Sequence, residues 1–207
     1  MHLEEVRTYV TVPPTGIGGS FWVFVEIDTD TGITGVGECY GVPFSGDLVE
    51  SMVADTFERF VKGQDPHRIE TLYRRAYSAG FSQRPDLSMM GVFSGLEMAI
   101  WDILGKVHNV PVCELLGGRF HDRLRTYSYL YPTAIDNFGN AAAGSSDVYH
   151  DGDAAAECAL RYLEMGFTAI KQDPVGPYSF QGGRELSLVE LDRAEYSVRR
   201  IREAVGD

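Results

Sequence analysis

The sequence predicts an α+β domain over residues 1–120, followed over residues 121–207 by the opening units of a parallel β/α assembly. Three observations carry that expectation. β-branched and aromatic residues alternating with polar ones dominate the first 40 positions. Apolar residues then recur at helical spacing from Asp47 to Val107, and beyond Gly117-Gly118 short strand-like runs alternate with amphipathic helical ones.

Val6 to Val12 is β-branched and aromatic and stops at Pro13-Pro14. Trp22 to Asp28 sets Val23, Val25 and Ile27 against Phe24, Glu26 and Asp28, the alternation of a strand with one buried face. Asp30-Thr31-Gly32 then turns the chain back through Ile33 to Glu38, an antiparallel hairpin. From Asp47, Leu48, Met52, Val53, Phe57, Phe60 and Val61 fall near a 3.6-residue repeat that Gly63 ends. A second helix is expected from about Pro66 to Tyr77. A third, from about Leu87 to Val107, carries Val92, Leu96, Ala99, Ile100, Ile103, Leu104 and Val107 on one broad face.

In the second part, Leu124 to Tyr131 reads as a strand, followed by a polar stretch from Asp136 to Asp153. A helix from Asp153 to Met165 is expected to turn Ala156, Ala159, Leu160 and Leu163 inward, with Gly166 as its cap. Phe167 to Lys171 reads as a short strand. Ser187 with Glu190 forms a capping box, opening a helix with Leu191, Ala194, Val198, Ile201 and Val205 in one stripe and a Glu195–Arg199 pair outside it. Two such strands leave a parallel sheet with a bare edge, so these residues are expected to be the first quarter of a larger assembly.

Composition narrows the functional classes. Of 207 residues, 44% are hydrophobic and 23% charged, so a packed core is within reach and global disorder is excluded. The net charge of −12 argues against nucleic acid or an anionic membrane as partner. No apolar run approaches 18 residues, which excludes a spanning helix. The acidic start lacks the basic-then-apolar order of a secretory leader, and a cytoplasmic location is expected. Cys39, Cys113 and Cys158 are widely spaced and expected to be reduced thiols. The fifteen arginines outnumber three lysines, and this lysine-poor, acidic chemistry suggests adaptation to high salt.

In parallel β/α folds, function collects where strands end. That rule selects Tyr129, Tyr131 and the loop 136–153 after one strand, and Lys171, Gln172 and Asp173 after the other. Lys171 is the only lysine of the last hundred residues, and once partly buried it can act as base or electrophile. Gly16-Ile17-Gly18-Gly19 precedes a strand instead of a helix, so it reads as a loop or lid and fails as a phosphate cradle. His150 lies in an acidic loop and reads as solvated. The acidic residues show no metal-ligand spacing.

The segment from Ser94 through Gly-Leu-Glu-Met-Ala-Ile-Trp-Asp-Ile-Leu-Gly-Lys-Val-His-Asn-Val-Pro-Val-Cys-Glu-Leu-Leu-Gly to Gly118 closely resembles the domain-junction signature of the mandelate racemase/muconate lactonising group of the enolase superfamily. The resemblance implies an α+β capping domain followed by a modified (β/α)₈ TIM-type barrel, of which this chain carries the first two β/α units. It implies Mg²⁺-assisted removal of an α-proton from a carboxylate substrate. Lys171 matches the first lysine of the group's Lys-x-Lys motif, and Asp173 replaces the second, which counts against racemisation. The Ile170-Lys171-Gln172-Asp173-Pro174 form resembles instead the galactonate- and gluconate-type sugar-acid dehydratases, which lose water to give a 2-keto-3-deoxy acid. Lys171 and Asp173 are thus the catalytic candidates, and Tyr40, Phe44 and Tyr131 the substrate-binding ones, with Thr15–Ser20 and Tyr40–Ser45 as closing loops. The resemblance puts the Mg²⁺ ligands and the general base on later strands beyond residue 207, and a homo-oligomer is expected of the longer protein. A racemase, epimerase or cycloisomerase of the same group, or a non-catalytic interaction module, is the alternative.

Overall fold

A computed structural model describes residues 1–12, 21–40, 42–83, 86–132, 144–175 and 186–206. The chain divides into two compact units between Phe120 and His121.

The first unit opens with an antiparallel sheet of β1 (Leu3–Thr11), β2 (Trp22–Thr29) and β3 (Thr34–Cys39) in that spatial order. The register follows the alternation in the sequence: Val25 pairs with Thr8 and Gly37, and Ile27 with Val6 and Gly35. Val23, Val25 and Ile27 are buried on the inner face, as the alternation predicts. Gly32, at a φ of 79°, supplies the left-handed residue of the hairpin turn. β1 begins earlier than expected because Leu3 is fully buried and exchanges backbone hydrogen bonds with Gln64 and Gly63.

Three helices cover the inner face. α1 (Gly46–Thr56) widens into a π-helical turn at Phe57–Val61, and its inward stripe is Val49, Val53, Phe57 and Val61, while Leu48 faces solvent. A 3₁₀ turn at Pro66–Arg68, capped by Asp65, leads into α2 (Ile69–Ser78). α3 (Leu87–His108) starts on an Asp86 cap and ends at Asn109 in the left-handed region. By length and composition α3 is apolar enough to cross a membrane, which corrects the expectation from run length. It is the core helix of this unit: Val92, Phe93, Leu96, Ala99, Ile100 and Ile103 are all fully buried.

Glycines set how closely α3 meets the sheet. A Cβ on Gly37 would stand 2.0 Å from the Gly95 carbonyl oxygen, and one on Gly35 would stand 2.1 Å from that of Ala99. Backbone therefore lies on backbone along this seam. The one-turn α4 (Val112–Leu115) follows, and Gly117 and Gly118 both take positive φ.

The second unit contains β4 (Ser128–Tyr129), α5 (Gly152–Glu164), β5 (Ile170–Lys171) and α6 (Leu188–Val205), with β4 and β5 parallel. Both strands are shorter than the sequence predicts. Ahead of β5 the Arg125 guanidinium donates to the Thr168 carbonyl and, at 2.8 Å, to its Oγ1. Leu124 and Tyr127 are exposed. The capping box is present as read: Ser187 Oγ accepts from the Glu190 amide and Glu190 Oε2 accepts from the Ser187 amide at 2.7 Å. Glu195 and Arg199 pair at 3.2 Å.

The helical stripes hold in part. Ala156, Ala159, Ala194 and Ile201 are buried as expected, but Leu160, Leu163, Leu191 and Val198 are exposed, and Ala155 and Cys158 of α5 and Ser197 of α6 are buried in addition. The cause is close helix packing through small residues. A Cβ on Gly152 would stand 2.9 Å from the Ser197 Cα, so the larger side chains are left at the flanks. Leu163, Phe167, Ile170, Val198 and Val205 line an open trough of about 560 Å³ there.

Candidate functional site

Strand alternation sorts the residues after β5. Lys171 is exposed, and Gln172, Asp173 and Pro174 are half-buried. Gln172 turns into the layer beneath, where its amide donates to Ser197 Oγ at 2.7 Å and to the Val148 carbonyl at 3.5 Å. This latch ties the strand end to α6 and to the segment before α5. Lys171 and Asp173, one residue to either side, are thereby aimed the other way.

On that face Tyr129 joins them. Its hydroxyl donates to Asp173 Oδ2 at 2.5 Å, the short end of the range for a phenol on a carboxylate. The Lys171 ammonium stands 5.4 Å from the centre of the Tyr129 ring, a cation–π contact. The Tyr131 ring lies 4.7 Å from that of Tyr129. Tyr149, nearly buried, completes a group of three phenols. Burial, then the hydrogen bond to Asp173, pushes the Tyr129 pKa up, so this phenol stays protonated and remains a donor at neutral pH. Burial, with the fields of Tyr131, Asp173 and Asp147, raises that of Tyr149 as well.

The structure therefore brings Lys171, Asp173 and Tyr131 to one strand-end cluster in the second unit. Sequence reasoning placed Tyr129 only at a strand end. Its bond to Asp173 follows from the β4–β5 register, in which Tyr129 lies opposite Lys171. Tyr149 was missed because a polar loop gave no sign of burying it. Lys171 itself is exposed where partial burial was considered. Tyr40 and Phe44 belong to the first unit and are 78% and 42% exposed there. The Gly16–Gly19 loop, within the expected Thr15–Ser20 lid, and positions 136–143 of the polar loop lie outside the described residues. His150 pairs with Asp147 at 2.8 Å on the surface. Cys39, Cys113 and Cys158 are free, and burial pushes the Cys39 thiol up to about 12.

Among the described residues no three His, Cys, Asp or Glu side chains gather to hold a metal ion. The donors among the described residues do not fit magnesium.

Chemically, the cluster offers one cation, one carboxylate with a fixed hydrogen-bond donor, and a wall of aromatic rings. That combination suits a small anionic substrate bearing hydroxyl groups.

Comparison with known proteins places the chain. Residues 5–117 match the family described as mandelate racemase / muconate lactonizing enzyme, N-terminal domain. A D-galactonate dehydratase from Xanthomonas oryzae pv. oryzae is 32% identical over 213 aligned residues, taking in 100% of this chain and 46% of its own length. A D-galactonate dehydratase from Ralstonia pickettii (strain 12J) is 30% identical, with the same coverage. The crystal structure of a mandelate racemase/muconate lactonizing enzyme from Sulfitobacter sp matches with a TM-score of 0.89 at 43% identity, covering 100% of this chain and 51% of that one. The corresponding protein from Jannaschia sp. CCS1 gives a TM-score of 0.87 at 40% identity, covering 100% of this chain and 52% of that one. The chain spans about half the length of the curated relatives it matches.

Proposed function

Because the chain belongs to the mandelate racemase/muconate lactonizing enzyme family, we propose that it is the N-terminal portion of an acid-sugar dehydratase. In this reading residues 1–120 are the capping domain and residues 121–207 begin the (β/α)₈ barrel. The reaction removes the α-proton of a sugar carboxylate and expels the β-hydroxyl as water. The resulting enol tautomerises to a 2-keto-3-deoxy acid. Lys171 holds the substrate carboxylate, with its positive charge offsetting the charge that develops as the proton leaves. Asp173 accepts from a substrate hydroxyl, Tyr131 walls the sugar, and Tyr40 and Phe44 contact it from the capping loops. The general base, and the ligands of the Mg²⁺ this chemistry uses, belong to residues outside these 207. The longer protein is proposed as a cytoplasmic homo-oligomer.

The observation that carries this reading is the state of Asp173. It occupies the position of the second lysine of a Lys-x-Lys pair, and its carboxylate is bound to the Tyr129 hydroxyl. A carboxylate so held does not simply inherit the role of a lysine base, which counts against racemisation. The relatives named D-galactonate dehydratase, aligned along the whole chain, support the same choice.

The test is to express the full coding sequence and screen sugar acids with Mg²⁺. Accumulation of a 2-keto-3-deoxy acid, sharply reduced in Lys171→Ala, is the expected result. Epimer exchange without water loss would assign the protein to the racemases, and no turnover of any acid would leave it without catalytic function.

A further inference from the structure

We propose that Tyr129 is the positioning residue of this site, holding Asp173 in one rotamer through its hydroxyl. The inference rests on the dehydratase reading, in which Asp173 meets the substrate.

Three observations converge on the tyrosine. Its hydroxyl lies 2.5 Å from Asp173 Oδ2, the separation of a strong, charge-assisted bond. Its ring is fixed on two sides, by the Tyr131 ring 4.7 Å away and by the Lys171 ammonium 5.4 Å from its centre. Its backbone lies in the β4–β5 ladder opposite Lys171, and the Leu130 amide donates to the Lys171 carbonyl at 2.9 Å. The donor is thus rooted in the strand beside the residues it serves.

Two consequences follow. The hydroxyl takes Oδ2 and so decides which carboxylate oxygen faces a substrate hydroxyl. A carboxylate rotates about two side-chain bonds, and fixing it before substrate arrives removes that ordering from the reaction barrier. Tyr129 also links the two catalytic candidates. One ring carries the cation on its face and the carboxylate at its hydroxyl, so Lys171 and Asp173 are placed by a common support.

The test uses the full-length protein with three variants: Tyr129→Phe, Asp173→Asn and the pair combined. Phe fills the same space and removes only the oxygen. Tyr129→Phe is expected to lower kcat about tenfold with KM little changed, and the thermal midpoint should move little. The double variant is expected to be no slower than Asp173→Asn alone, because the hydroxyl acts through that carboxylate. A Tyr129→Phe enzyme with wild-type kcat, or losses that multiply in the double variant, would overturn the positioning role while leaving the dehydratase reading intact. Unchanged turnover in Asp173→Asn would overturn the role given to Asp173, and the inference with it.

Discussion

Arg7 on β1 meets two acids of β2 across the outer face of the sheet. Its guanidinium donates to Asp28, at 3.0 Å through one nitrogen, and reaches Glu26 at 3.4 Å, while Thr34 donates to Asp28 at 2.6 Å. The Arg7 hydrogen bond, then that of Thr34, holds the Asp28 carboxyl below the usual carboxylate range. A folded-state pKa below the unfolded one stabilises the fold above the unfolded value, about 3.9 for Asp. That contribution is lost as pH falls through the folded value. Urea midpoints should therefore stay flat from pH 7 to 5 and decline below about pH 4. The decline should be shallower in Asp28→Asn, and an identical slope would remove Asp28 from the account. The pairing of Thr34 with Asp28 was implicit in the hairpin register, whereas the placement of Arg7 opposite Glu26 depends on the β1–β2 pairing, which local periodicity does not carry.

Between elements, the controlling feature is the seam of Gly35 and Gly37 against Gly95 and Ala99. Gly37→Ala would drive a methyl group into the Gly95 carbonyl, and helix and strand must separate to admit it. Overpacking of this kind costs about 1–3 kcal/mol, so the urea midpoint of Gly37→Ala should fall clearly, whereas Gly63→Ala meets no atom and acts only through its positive φ. A midpoint for Gly37→Ala equal to wild type would show that the seam can yield. The hairpin, the capping box and the inward face of α3 were all legible in the sequence, because each is set by local spacing. The α5–α6 contact was legible only in part: apolar periodicity found Ala156, Ala159, Ala194 and Ile201 but also favoured leucines and valines, whereas helix approach is decided by the smallest residues at the crossing. Strand length failed similarly in the second unit: pairing is confined to Ser128–Tyr129 and Ile170–Lys171, and the strand-forming residues before them carry no local mark of where it begins. Of the site, Lys171 and Asp173 could be read from a motif, while the tyrosine that joins them required the register of two parallel strands.

For the molecule as a whole, 30 acidic residues against 18 basic ones leave a charge of −12 to be screened. At 1 M salt the screening length shortens to about 3 Å, so self-repulsion fades while short ion pairs such as Arg200–Asp153 at 2.6 Å are less affected. We expect the thermal midpoint to rise from dilute buffer to molar KCl, and equal midpoints would defeat the salt-adaptation reading. The glycine seam also bears on how such a protein changes over evolutionary time. β3 ends at Cys39, beside Gly95, and the Tyr40 carbonyl that follows lies 3.2 Å from where a Cβ on Gly91 would be. The root of the segment that follows β3 is thus seated on the core helix like a part against a machined datum. Substitutions farther along that segment can accumulate without shifting its point of departure, so its composition can drift while its alignment is inherited.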